Sequence, residues 1–196
     1  VLIAAAGATA VLTSGGDHWS LFPILVIGSF TVISELTAVS SETVKVWISG
    51  SFLGIVLAAI MLGGGPAALI AVLTIVVGWL HSRESSRHFL NNLAIFAWFP
   101  LITGIAVHAA VTWSHAGPQT PTYYLLVFGA FMLALTINFS GVVISQHRSG
   151  GWSPAFGVRE VLVPVLPAEL FSALLTLAAV YITGELKTAG LAMFGL

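Results

Sequence analysis

Glu169 is the residue of this chain best placed to do chemistry, because an ionisable side chain inside apolar sequence is expensive to keep there. It follows Glu160 by nine residues, about 13 Å along an α-helix. Pro164 and Pro167 precede it, each withdrawing a backbone donor and freeing carbonyls that need other partners. A cavity holding water or a polar ligand meets both demands. So does a sealed arrangement, with Glu169 protonated or paired with Asn138 or Lys45 as a packing constraint. Three further residues join Glu169 as candidates for contact with a ligand. Glu35 lies deepest in apolar sequence among Glu35, Glu42 and Lys45, a cluster that reads either as the gate of a pocket or as interfacial charges snorkelling to headgroups. Asn138 offers an amide to a ligand's polar edge or to a neighbouring helix. Trp98, in mid-segment, fits no interfacial belt of aromatic residues.

Other chemistries lack their residues. There is no cysteine, hence no disulfide, thiolate nucleophile or cysteine-bound metal. His18, His81, His88, His115 and His147 fall at segment ends or loops, and no His-Glu-x-x-His helix pattern occurs. Neither a metal nor a cofactor is expected. Lys45 and Lys187 stand at segment edges, where a retinal Schiff base does not belong. No nucleophile with a base can be assembled, so no catalytic residue is assigned. Arg83, Glu84, Arg87 and His88 form the densest charged cluster, which orientation in a membrane explains. Asn91 and Asn92 lie near a helix start, where capping accounts for them. No nucleic-acid partner is expected.

The elements that must position these residues follow from composition. The 196 residues are 58% hydrophobic and 7% charged, with a mean hydropathy of +1.04, which describes an integral membrane protein with the lipid bilayer as its first partner. Polar punctuation divides the chain into Val1–Thr13, Leu21–Ala38, Thr43–Leu62, Pro66–Leu80, Phe89–Val111, Pro121–Ser145, Val161–Thr183 and Thr188–Leu196. The expected fold is an all-α polytopic transmembrane bundle of about seven full spans plus one incomplete C-terminal span, a single membrane domain over residues 1–196. The fourth piece covers only about 22 Å, so it must thin the bilayer or be sheltered. Both ends look trimmed, with a further segment expected after Leu196.

Lys45, Arg83, Arg87, Arg148 and Arg159 fall on one side of this parse, and Lys187 alone breaks the asymmetry. The positive-inside rule then puts the N-terminus and any continuation after Leu196 in the cytoplasm, in a bacterial inner membrane. Trp19, Trp113, Tyr123 and Tyr124 mark the outer boundary, and Trp47, Trp79 and Trp152 the inner. Small residues at four-residue spacing, Gly50, Gly54 and Ala58, and Ala4 and Ala8 or Ala6 and Ala10, read as helix-packing faces.

Three stretches carry a resemblance: VKVWISGSFLGIVLAAIMLGGGPAALIAV, HSRESSRHFLNNLAIF and REVLVPVLPAELFSALLTLAAVYITGELKTAGLAMFGL. Over about Glu35 to Leu196 the chain resembles the N-terminal multispan membrane module of bacterial signalling proteins that carry a cytoplasmic HD-GYP, HD-phosphohydrolase or GGDEF domain. The resemblance implies a sensory input module, homodimerisation, and catalysis of cyclic-dinucleotide chemistry in a part outside these residues. The layout is also similar to the substrate-binding subunits of energy-coupling-factor vitamin transporters, which implies capture of a small molecule instead.

Overall fold

The computed structural model describes residues 1–41, 46–83, 85–148, 151 and 153–186. Helices α1 (Leu2–Thr13) and α2 (Leu21–Leu36) are followed by a short antiparallel pair, β1 (Val39–Ser41) and β2 (Val46–Ile48). Val39 faces Ile48 in register, and Ser41 faces Val46. Then come α3 (Ser51–Met61), α4 (Gly64–Ser82), α5 (Ser86–Ser114) and α6 (Pro121–Arg148). A single turn, α7 (Pro154–Phe156), leads through a π-helical turn at Gly157–Leu162 into α8 (Val163–Leu186).

A helical bundle suited to a membrane is what the chain forms, but the seven full spans are corrected. Four helices are long and apolar enough to cross: Gly64–Ser82, Ser86–Ser114, Pro121–Arg148 and the continuous stretch Pro154–Glu185. Helices α1, α2 and α3 have 12, 16 and 11 residues, about 18, 24 and 16 Å, against a hydrocarbon core of about 30 Å. The third expected span, Thr43–Leu62, resolves into β2 and α3. The Ser49 hydroxyl accepts the Ser51 N–H at 2.9 Å, which starts α3 at the Ser-Gly-Ser break. The fourth is longer than expected, because Pro66 sits in the first turn of α4, where its missing N–H costs nothing. The eighth, Thr188–Leu196, lies outside the described residues, as do Glu42, Lys45, Glu84 and Trp152.

Helix α3 is the axis of the bundle. Nine of its eleven residues are buried, and Phe52 at its start meets Phe99 of α5 and Phe131 of α6 with ring centroids 5.5 and 5.4 Å away. These three rings anchor the main core, to which Val127, Ala130 and Ala134 of α6 and Ala173, Ala179 and Val180 of α8 contribute. In α8 the inward face is small, with Ala173, Thr176 and Ala179 buried, while Leu170, Phe171 and Leu174 are exposed. That inversion suits a lipid-facing helix, since small residues let backbones approach and lipid replaces water outside. The expected Gly50, Gly54 and Ala58 face is a contact: a methyl at Gly54 would strike Thr31 and Phe30 of α2.

Short connections make neighbouring helices antiparallel and fix two ends. Arg83, in the left-handed conformation (φ 51°), closes α4 by donating its N–H to Trp79. Ser85 caps α5, its hydroxyl accepting the His88 N–H at 3.4 Å. Arg83, Arg87, Arg148 and Arg159 thus share one end of the bundle, the basic end. At the opposite end Gly63 turns α3 into α4 with φ 101°, a conformation that L side chains rarely adopt. Asp17 ties this turn by accepting the Gly65 N–H at 2.9 Å, and the His18 N–H donates to the Leu62 carbonyl at 2.7 Å. Gly104 of α5 presses on the same turn so closely that a methyl there would run into the Gly64 backbone.

Candidate functional site

At the basic end the N-terminus of α3 stops short, and the space beyond it is a cavity of about 230 Å³. Five elements wall it: α2 brings Glu35, α3 brings Ser51 and Phe52, α5 brings His88, Asn92 and Phe96, and α6 brings Asn138 and Gln146. The fifth, the run through the π-turn into α8, supplies Val161, Leu162, Val165 and Glu169. The π-turn explains how Pro164 is accommodated. Val163 donates its N–H five residues back to Val158, so the ladder is rerouted just before the residue that has no N–H to give. Gly157 begins this turn against Val143 of α6, where a methyl would lie 2.8 Å from a side-chain carbon.

Three of the four candidate residues, Glu35, Asn138 and Glu169, line this one cavity from three different helices. Their bonding differs. Glu35 Oε2 accepts hydrogen bonds from the Ser49 and Ser51 hydroxyls, at 2.9 and 2.7 Å, and Gly78 of α4 leaves room for its side chain. Asn138 Oδ1 is buried and has no hydrogen-bond donor. Glu169 is half-buried and has no ion-pair or hydrogen-bond partner among the described residues. An acceptor shut away from water without a donor costs roughly 1–3 kcal/mol, so a filled cavity is more stable than an empty one. A pairing of Glu169 with Lys45 lies outside the described residues.

Trp98 stands apart from the other three. Its indole N–H donates to the Leu2 carbonyl at 3.1 Å, and it packs beside Ala6, Ala10, Ala68, Ala97 and Leu101, where α1 crosses α4 and α5. The structure corrects the capping reading of the neighbouring asparagines. Ser85 is the cap, Asn91 donates to the Ser145 hydroxyl at 2.8 Å across to α6, and Asn92 lines the cavity. Asn92, His88 and Gln146 escaped sequence reasoning because each lies near a helix end, where polar residues need no special explanation.

Two further cavities flank α3. One of about 320 Å³ shares Glu35, Ile75 and Asn92 with the first and reaches Trp79 and Phe89, whose rings stack at 4.7 Å. Another, of about 290 Å³, lies at the opposite end below Ala59, Ile60 and Met61, with His18, His108 and Tyr123 in its wall. No family model, curated protein or solved structure matches the chain.

Proposed function

We propose that this chain is a membrane-embedded sensory or regulatory input module that holds a small molecule in the cavity between α2, α3, α5, α6 and α8. The observation that carries this reading is the convergence of Glu35, Asn138 and Glu169 on one cavity, with two of the three lacking protein partners. An apolar pocket with a few convergent polar groups is the usual form of a small-molecule site. The helix that carries Glu169 also carries the π-turn, so a ligand gripping the carboxylate bears on a helix with a rearranged hydrogen-bond ladder. In the proposed orientation the basic end is cytoplasmic, and the resemblance places a cyclic-dinucleotide enzyme domain on that side as the receiver of the signal.

Two experiments test this. A thermal-shift screen of small polar compounds on the protein in lipid nanodiscs should find at least one that stabilises it. At a concentration of 100 Kd the gain is about 2.7 kcal/mol, and Glu169→Gln should remove most of it. If no compound separates wild type from Glu169→Gln, the ligand-holding reading falls. For orientation, the chain's lack of cysteine makes single-cysteine labelling clean: Ser85→Cys should react only from the cytoplasmic side and Gly117→Cys only from the other. The reverse pattern would remove the proposed relay.

A substrate-binding transport subunit is the second reading. It is favoured by cavities at both ends of α3 and by the outward exposure of Ala4 and Ala8, a small-residue face open to a partner. Uptake by proteoliposomes containing the chain and its coupling partners, absent with Glu169→Gln, would select it over the sensor.

A further inference from the structure

The polar groups of the main cavity are unbalanced in one direction. Glu35 and Glu169 contribute two carboxylates and Asn138 an unpartnered carbonyl oxygen, whereas no lysine or arginine lines the cavity among the described residues. The donors nearest these acceptors, Ser49 and Ser51, are already committed to Glu35. The arginines of the basic end lie outside the wall, so they do not neutralise it. A negatively charged ligand would meet carboxylates with no cation to offset them, which is costly where water is scarce.

A metal ion does not answer this arrangement. Among the described residues no three His, Asp or Glu side chains are gathered closely enough to hold one, although Glu35, His88 and Glu169 all line the cavity. Its acceptors are therefore spread over the wall. Between them lie Phe52, Phe96, Phe139 and Leu135, and aromatic faces attract organic cations. The volume of about 230 Å³ falls below the roughly 300–1,000 Å³ of common ligand pockets.

From this we infer that the cavity takes a small organic cation bearing N–H donors, a primary or secondary ammonium on a compact apolar body. Glu169 supplies the counter-charge, and Asn138 Oδ1 accepts one N–H. The apolar body lies on the phenylalanines. This rests on the ligand-holding reading above and narrows it to a chemical class. Recognition of N–H groups separates it from a site for quaternary ammonium, which has none to donate to Asn138.

The test uses four probes of one shape on the whole chain in nanodiscs, followed by calorimetry: phenethylammonium, its N,N,N-trimethyl derivative, 2-phenylethanol and 3-phenylpropanoate. Phenethylammonium should bind about tenfold or more tightly than each of the others, as a charge-assisted hydrogen bond to a buried carboxylate requires. Glu169→Gln should erase the preference for the ammonium over the alcohol, and Asn138→Leu should erase the preference over the trimethyl form. Tighter binding of the alcohol or the carboxylate overturns the cationic class and leaves the ligand-holding reading standing. Equal binding of the trimethyl form overturns the N–H requirement. A flat response to all four overturns the inference, and a flat response in the wider screen as well takes the underlying reading with it.

Discussion

At one end of α3 the chain turns directly into α4 through Gly63, with Asp17 bonded to Gly65 and the backbone of α5 lying against the turn at Gly104. At the other end α3 begins behind two serines that hold a carboxylate, and the helices beyond it part around a cavity. The first end joins backbone to backbone and permits no added atom. The second is held apart by side chains that carry charge and amide groups. The same eleven-residue helix is therefore anchored at one end and left with adjustable neighbours at the other. Fixity and a binding space in a small bundle come from different residue types: glycine makes the first, and polar residues in apolar sequence make the second.

The comparison breaks most visibly if bulk is added to the glycine end. Gly104→Leu should destabilise the bundle by about 3 kcal/mol or more, since neither backbone can give way; thermal unfolding in detergent measures it, and a loss no larger than that of a cavity-wall variant would erase the contrast. Asp17→Ala sharpens the picture by testing the tie alone, with an expected loss of about 1 kcal/mol from a helix-capping bond read in the same assay. The smallest effect is expected at the other end. Val165→Phe, which places its extra atoms in the cavity, should change stability by less than about 1 kcal/mol, while blocking whatever ligand the thermal-shift screen finds.

Particular residues show how much was legible in the sequence. Hydropathy located α5, α6 and α8 within a few residues, because a long apolar run with charged flanks has no other solution in a membrane. It failed at α3, because a hydropathy window cannot tell a helix shielded by protein on all sides from one that reaches across lipid. The break at Ser49, Gly50 and Ser51 was the available signal, and small residues hid it. Glu35, Asn138 and Glu169 were found because each is costly in apolar surroundings, and cost is visible without a fold. Their meeting in one cavity was not visible, since it depends on how five helices lean together. Trp98 misled for the complementary reason. An indole in mid-span looks like a ligand platform until its N–H is seen to be satisfied by the carbonyl of Leu2.

The brevity of α3 has an electrical consequence. Cavities indent the bundle above and below it, so water entering both would leave an insulating plug about as thick as α3 is long, ~16 Å. A transmembrane voltage worth about 2.3 kcal/mol per charge at 100 mV would then fall across roughly half the usual thickness. The gradient would be steepest beside Phe52, where the plug meets the carboxylate-bearing chamber.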